Sequence, residues 1–309
     1  MKDKKKFIPV MLMPFHPDQS IDYPALDRLI DFYLDSGAGG LFANCLSSEM
    51  YFLSKEEMMH SVQHIVDRVD GRVPVVATGS FGSTVEEQAA AVRAIYATGV
   101  SAVILISGLL AAESASEAEF RDNVFQLLEL TPNIPVGFYE CPIPYKRVIS
   151  AQLLGELVNT GRVTYHKDTC LDISLVKRKL EATREEGSFG LYDAYMVHAV
   201  DSLRAGSAGL SCIQGNYFPE LVVWLCAHFD DTEAAEYVGE VQDFFRRNMD
   251  VMHDTYPASA KYVLQKRGLD MGSTCRNGSV VPDGTVAAAL DRLLEDAENL
   301  LAKLAVHSA

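Results

Sequence analysis

Positive charge is scarce in this sequence. Lysine and arginine total 27 against 42 aspartate and glutamate residues, which leaves a formal net charge of −15 over 309 residues. A chain of this sign repels phosphate backbones and anionic lipid surfaces. We therefore expect neither a nucleic-acid partner nor a membrane partner.

The sequence also lacks an export signal and a disulfide framework. The basic start, residues 1–6, leads into an apolar run that Pro9 and Pro14 interrupt and that has no small-residue cleavage site. The six cysteines lie far apart and form no CxxC pair, so no stapled secreted scaffold is expected. These absences fit a reduced compartment, and we expect a cytoplasmic protein.

What the sequence does contain is a regular alternation of two hydrophobic periods. Short continuous apolar runs alternate with longer segments whose apolar residues recur every three or four positions. Continuously apolar runs are typical of parallel strands that helices cover on both faces. The eight strand candidates are residues 7–13, 40–44, 73–77, 102–106, 136–139, 163–166, 189–192 and 208–213. Eight such units predict an α/β fold, a closed (β/α)8 TIM barrel.

Helical segments separate these runs, and Ser54 with Glu57, three residues later, is a predicted N-cap. The helix candidates between strands are residues 23–35, 55–69, 84–98, 117–130, 151–159 and 173–185. A doubly wound open sheet is the alternative fold, but no GxGxxG-type turn follows the first run.

Only helical segments remain after Pro219. They are predicted at residues 221–228, 232–253, 258–266 and 283–304. Because no Pro/Gly/Ser-rich linker precedes them, we predict a catalytic barrel over residues 1–228 and a helical segment, 229–309, packed on it.

Polar residues just after each apolar run are the site candidates, because a TIM barrel carries its active site at the carboxyl ends of its strands. Lys167 ends the sixth run, where a partly desolvated amine would have a lowered pKa and could attack a carbonyl. Tyr139 ends the adjacent fifth run, where a phenol could shuttle protons. Two alternatives stay open: Lys167 merely ion-paired with Asp168 or Glu140, and Tyr139 merely a rim aromatic.

A metal site is a weaker alternative. His16 and His166 with Glu49 or Asp168 could form a metal-dependent aldolase site, but their spacing is not diagnostic. Four cysteines near strand ends carry no ligand spacing and are predicted to be small fillers: Cys45, Cys141, Cys170 and Cys212. We expect no metal and no cofactor.

Four segments carry motifs that can be compared with a known family. Residues 45–57 keep the register of a Gly-Thr/Ser-Thr-Gly-Glu turn, and residues 73–80 follow a Pro-Val-x-Ala-Gly-x-Gly strand. Residues 138–142, Phe-Tyr-Glu-Cys-Pro, match Tyr-Asn-x-Pro, and residues 166–169, His-Lys-Asp-Thr, match Lys-Glu/Asp-Ser/Thr. In these motifs the chain resembles the dihydrodipicolinate synthase and N-acetylneuraminate lyase superfamily of class I, Schiff-base aldolases.

The resemblance implies roles for particular residues. Lys167 would form the imine with a 2-oxo acid and Tyr139 would be the proton shuttle. The turn after the second strand would hold the substrate carboxylate through Ser47 and nearby backbone N–H groups, including that of Ser48. Cys212, near the end of the eighth run, is our third substrate-binding candidate. The resemblance also implies a homotetramer.

Three features of the synthases in this family are missing. Leu46 stands where they have a relay hydroxyl, and residues 107–112, Ser-Gly-Leu-Leu-Ala-Ala, replace their tyrosine pair. Pro144 aligns with their carboxylate-binding arginine, and the next cations are Lys146 and Arg147. We therefore expect that the chain is not a lysine-biosynthesis synthase.

The leading functional hypothesis is an aldolase that joins pyruvate and an aldehyde, or cleaves the resulting 4-hydroxy-2-oxo acid. A dehydratase of a 2-oxo-3-deoxy sugar acid would use the same imine. A non-catalytic 2-oxo acid sensor is the third possibility, although retention of both Lys167 and Tyr139 argues against it.

Overall fold

A computed structural model describes residues 4–307 of the chain. All eight strands are parallel and neighbour one another in the order β1-β8-β7-β6-β5-β4-β3-β2. Their bounds are Lys6–Phe7 (β1), Leu41–Ala43 (β2), Val75–Thr78 (β3), Ala102–Ile106 (β4), Val136–Tyr139 (β5), Val163–Asp168 (β6), Gly190–Asp193 (β7) and Gly209–Leu210 (β8). A parallel bridge between Val10 and Phe42 closes the sheet, which confirms the predicted TIM barrel.

One helix follows each strand. The bounds are Tyr23–Asp35 (α1), Lys55–Val69 (α2), Val85–Tyr96 (α3), Glu117–Leu130 (α4), Ala151–Val158 (α5), Ile173–Ala182 (α6), Ala199–Ala205 (α7) and Pro219–His228 (α8). The Ser54 cap of α2 is reciprocal, since its hydroxyl accepts from the Glu57 N–H and the Glu57 carboxylate accepts from the Ser54 N–H. Helix α7 was not among the sequence predictions.

The first strand is much shorter than its predicted range of 7–13. Pro9 has no N–H to donate to a ladder, so regular pairing stops before it. Its carbonyl still accepts from the Phe42 N–H at 2.9 Å, and the Met11 N–H donates back to Phe42 at 3.0 Å. The chain beyond β1 therefore continues along the barrel wall as irregular extended backbone.

Two apolar layers make up the core. Inside the barrel, Phe42 makes edge contacts with Tyr139 and Tyr165, with ring centroids 5.8 and 6.0 Å apart. A second, larger cluster lies between the strands and the surrounding helices. Side chains fill the middle of the barrel, and the larger of its two open ends, a cavity of about 600 Å³ against about 130 Å³, is the carboxyl end.

Four further helices follow the barrel: Ala235–Arg247 (α9), Met249–His253 (α10), Ala258–Lys266 (α11) and Gly284–His307 (α12). The prediction of one helix over 232–253 is wrong at Asn248, where the backbone leaves helical geometry and separates α9 from α10. Helix α9 packs on α7 and α8, and α12 packs on α9, α10 and α11. None of the helices described is long and apolar enough to cross a bilayer. The domain boundary at residue 228 stays a prediction.

Candidate active site

Lys167 and Tyr139 lie side by side inside the barrel mouth. They are opposite one another in the ladder between β6 and β5, as its last pair at the carboxyl end. The Lys167 Nζ lies 4.2 Å from the centroid of the Tyr139 ring, and both residues are 4% exposed. Adjacent parallel strands thus bring the two predicted catalytic side chains into contact.

The Lys167 amine is buried, and no carboxylate among residues 4–307 forms an ion pair with it. The two carboxylates that could have paired with it, those of Glu140 and Asp168, bind the Lys179 ammonium instead, at 2.5 and 2.6 Å. Burial lowers the pKa of Lys167, and three nearby thiols oppose that shift. The amine therefore loses its proton more readily than that of an ordinary lysine. The neutral amine is the form that attacks a carbonyl.

Tyr139 shows the opposite shift. Burial is the main cause that raises the pKa of its phenol well above the ordinary value, and neighbouring Cys141 and Cys45 add to it. The hydroxyl therefore keeps its proton near neutral pH, and the same shift makes it a weaker acid than an ordinary tyrosine.

A cavity of about 600 Å³ opens over these two residues. Its volume falls in the range of small-molecule sites and exceeds what pyruvate alone requires. Of the predicted substrate-binding residues, Ser47 lines the cavity, whereas Ser48 and Cys212 are buried outside its lining. The thiol of Cys212 lies close enough to influence the pKa of Lys167.

In the turn after β2, Ser48 bonds to the backbone whereas Ser47 faces the cavity. The Ser48 hydroxyl donates to the Met11 carbonyl at 2.7 Å and its N–H donates to Cys45 at 3.0 Å. These contacts hold the turn and leave Ser48 with no donor for a ligand. The Ser47 hydroxyl, by contrast, lies beside that of Tyr256, which also lines the cavity.

Glu49 ties this turn to the C-terminal segment. Its carboxylate accepts from the Lys261 ammonium at 3.0 Å and from the backbone N–H groups of Arg276 and Asn277 at 2.5 and 2.8 Å. Both Glu49 and Lys261 are buried. The sequence analysis did not identify Lys261 or Tyr256, because the pairing joins residues more than 200 positions apart.

The cavity mouth is apolar. Phe52, Ile143 and Leu171 line it and remain 51%, 48% and 52% exposed. Leu171 also adopts a left-handed φ of 63°, which costs a non-glycine residue about 1–3 kcal/mol. Exposed apolar side chains and local strain at one site are typical of a ligand-binding surface.

Each of the two cations nearest the missing arginine has a backbone carbonyl partner. Lys146 lines the cavity, but its ammonium donates to the Thr169 carbonyl at 2.9 Å. The Arg147 guanidinium donates to the Ala112 carbonyl at 2.7 Å and lies over the Phe120 ring, away from the cavity.

The residues considered as metal ligands fall into separate clusters. His16 lies 3.6 Å from Asp22, and Glu49 binds Lys261. His166, Asp168 and Glu140 do converge, with possible ligand atoms within 4.8 Å of one another. The Lys179 ammonium already lies among them, where a cation would bind.

The chain is similar to known proteins over most of its length. The dihydrodipicolinate synthetase family matches residues 3–295. The 4-hydroxy-tetrahydrodipicolinate synthase of Marinobacter nauticus is 23% identical over 267 residues, which cover 84% of this chain and 87% of that protein.

Two solved structures share the fold. One describes the first monomeric dihydrodipicolinate synthase variant, with a TM-score of 0.86, 17% identity and coverage of 96% of this chain and 98% of that one. The other is YagE, a prophage protein of this family from Escherichia coli K12 in complex with pyruvate, with a TM-score of 0.83, 21% identity and coverage of 94% and 97%.

Proposed function

Because the chain belongs to the dihydrodipicolinate synthetase family of Schiff-base lyases, we propose that it is a class I aldolase that joins pyruvate to an aldehyde, or reverses that reaction, through an imine on Lys167. The observation that carries the proposal is the buried Lys167 amine, which has no counter-ion in the part of the chain that the structure describes and lies against Tyr139 on the cavity wall.

The chemistry follows from these two groups. The neutral amine attacks the carbonyl carbon of pyruvate, and loss of water leaves a protonated imine. The imine nitrogen withdraws electrons, so that a methyl proton can leave and an enamine forms. The enamine carbon attacks the aldehyde carbon, whose oxygen takes a proton. Hydrolysis then releases the 4-hydroxy-2-oxo acid and restores the amine. Tyr139 is the group placed to move protons in these steps.

The turn after β2 would hold the pyruvate carboxylate. Ser47 would supply its hydroxyl, and its backbone N–H and that of Leu46 would be further donors, since both residues line the cavity. Fixing the carboxylate orients the carbonyl toward the amine and thereby lowers the entropic part of the barrier. Ser48 would act through the fold of the turn, since its own donors are occupied.

The acceptor aldehyde would be neutral and at least partly apolar. The mouth presents Phe52, Ile143 and Leu171, while Lys146 is bound to a backbone carbonyl. Besides Lys167, the lysine on the cavity wall is Lys146, which is exposed and already bonded to Thr169, and a charge pair at an exposed site contributes little to binding a second carboxylate.

Borohydride reduction in the presence of pyruvate tests the proposal. We expect a covalent adduct on Lys167, located by mass spectrometry of the digested protein. Lys167→Met should abolish the adduct, and Lys146→Met, which changes the other lysine on the cavity wall, should keep it. An adduct on another lysine, or none with the wild type, would refute the mechanism.

A product screen then assigns the reaction. Pyruvate with a panel of aldehydes should yield 4-hydroxy-2-oxo acids. Water loss from a 2-oxo-3-deoxy sugar acid, without carbon–carbon bond formation, would assign the dehydratase instead. Adduct formation without turnover of either substrate class would indicate a sensor.

A further inference from the structure

Four ionisable side chains form a closed cluster on the outer face of β5 and β6. Glu140, His166, Asp168 and Lys179 are all fully buried. The Lys179 ammonium binds Glu140 at 2.5 Å and Asp168 at 2.6 Å, and lies 3.4 Å from the His166 Nε2. None of the four lines the cavity, so the proposed chemistry does not use them directly.

The cluster adjoins the reactive pair in sequence. Side chains alternate between the two faces of a strand, so Glu140 points outward where Tyr139 points inward, and His166 and Asp168 flank Lys167 in the same way. The cluster and the reactive pair therefore share the ends of the same two strands.

Glu140 also joins those strand ends to one another beyond the ladder. Its carboxylate accepts from the Thr169 N–H at 3.2 Å and from the Ile149 N–H at 2.9 Å. The Thr169 hydroxyl donates to the Glu140 carbonyl at 2.5 Å, so the contact between the two ends is reciprocal. Asp168 in turn accepts from the Cys170 N–H at 2.8 Å.

We propose that Lys179 is a positioning residue for the Schiff-base pair: its ammonium holds Glu140 and Asp168, and through them fixes the ends of β5 and β6 that carry Tyr139 and Lys167. This role rests on the proposed imine chemistry. Breaking a buried ion cluster frees the groups it held, and a misplacement of about 1 Å in a reacting pair can cost on the order of 10²-fold in rate.

The test is the pH dependence of imine trapping and turnover. The groups around Lys167 are the Tyr139 ring and the thiols of Cys45, Cys141 and Cys212. Burial lowers the pKa of Lys167, so the acid limb of the wild-type profile should lie below that of an ordinary lysine. Lys179→Met should let water reach the amine and move this limb to higher pH, with kcat reduced at least about tenfold. A smaller folded fraction lowers the height of the acid limb but leaves its midpoint pH unchanged.

A double variant separates position from charge. Lys179→Met with Glu140→Gln removes one positive and one negative charge, so the net charge of the cluster is unchanged. The single glutamine oxygen can still accept from one of the two N–H groups, that of Ile149 or that of Thr169. We expect stability to recover in part while the shifted limb and the low kcat remain. Lys177→Met, an exposed lysine on the same helix, should behave as the wild type.

Each result is decisive. A folded Lys179→Met protein with the wild-type limb and kcat overturns the proposal, and so does full recovery of both in the double variant, since Lys179 would then act only through charge balance. Failure of both variants to fold would show that Lys179 serves the fold alone. If the wild type itself forms no pyruvate adduct, the proposed function fails and the positioning role falls with it, whereas a trapped wild-type adduct leaves the variants to test the positioning role alone.

Discussion

Three buried lysines of the described chain show how a partner decides what an amine can do. Lys179 and Lys261 are fully buried, and each binds carboxylate oxygen within about 3 Å. Lys167 is 4% exposed and faces an aromatic ring and three thiols instead. Burial lowers the pKa of Lys167, whereas the charges of Glu140 and Asp168 outweigh burial and raise the pKa of Lys179. Only Lys167 is left suited to nucleophilic attack.

Tyr139→Phe should preserve the pyruvate adduct but reduce turnover by about 10²-fold or more, because positioned acid–base groups supply about that factor. Borohydride trapping and steady-state rates measure the two effects separately. Tyr165→Phe is the matched control, since Tyr165 is also buried in the barrel but bonds Ser211 at 3.0 Å and does not line the cavity. Unchanged turnover in Tyr139→Phe would move the proton transfers to another group, and Tyr256 would be examined first.

At the scale of elements, the sequence predicted the helices and strands that local hydrophobic periodicity determines. Four helices, α1, α2, α4 and α11, begin and end at the predicted residues, and β4 and β5 match their predicted bounds. The placement of Lys167 beside Tyr139 followed from strand order alone. The buried ion pairs of Lys179 and Lys261 were not predicted, because their partners are distant in sequence. The Lys179 cluster had one local signal: Lys179 lies three residues after Val176 and four before Thr183, on the buried face of α6.

The C-terminal helices should unfold together with the barrel, because the buried Lys261–Glu49 pair joins α11 to the turn after β2. Lys261→Met leaves an uncompensated buried carboxylate and should destabilise the protein by about 3–5 kcal/mol. Urea denaturation followed by circular dichroism measures this change. Lys266→Met on the same helix breaks exposed contacts with Asp291 and Tyr262 and should cost less than about 1 kcal/mol. A separate early transition confined to the C-terminal helices would contradict the expectation.

At the scale of the whole molecule, the net charge and the proposed site would both disfavour a substrate with a second carboxylate. A net charge of −15 disfavours the approach of anions, and the site has few free cations to compensate for it. The predicted homotetramer would add subunits of the same sign, and light scattering would measure that assembly. Pyruvate itself has one carboxylate to bind, and the Ser47 turn would bind it. A second carboxylate on the acceptor would have to bind at the apolar mouth.

Aspartate semialdehyde, the acceptor of a lysine-biosynthesis synthase, carries that second carboxylate and should therefore be a poor substrate. A charged hydrogen bond from an arginine contributes about 1.5–3 kcal/mol, or roughly ten- to a hundredfold, and Pro144 cannot supply it. Arg147 cannot replace it without leaving the Ala112 carbonyl and the Phe120 ring, and Lys146 would have to release Thr169. Steady-state assays with pyruvate should give a kcat/KM for the semialdehyde at least about tenfold below that for a neutral aldehyde of similar length. A value above about 10⁴ M⁻¹s⁻¹, ordinary for an enzyme on its own substrate, would make this chain a synthase after all, with Lys146 as the cation to mutate next.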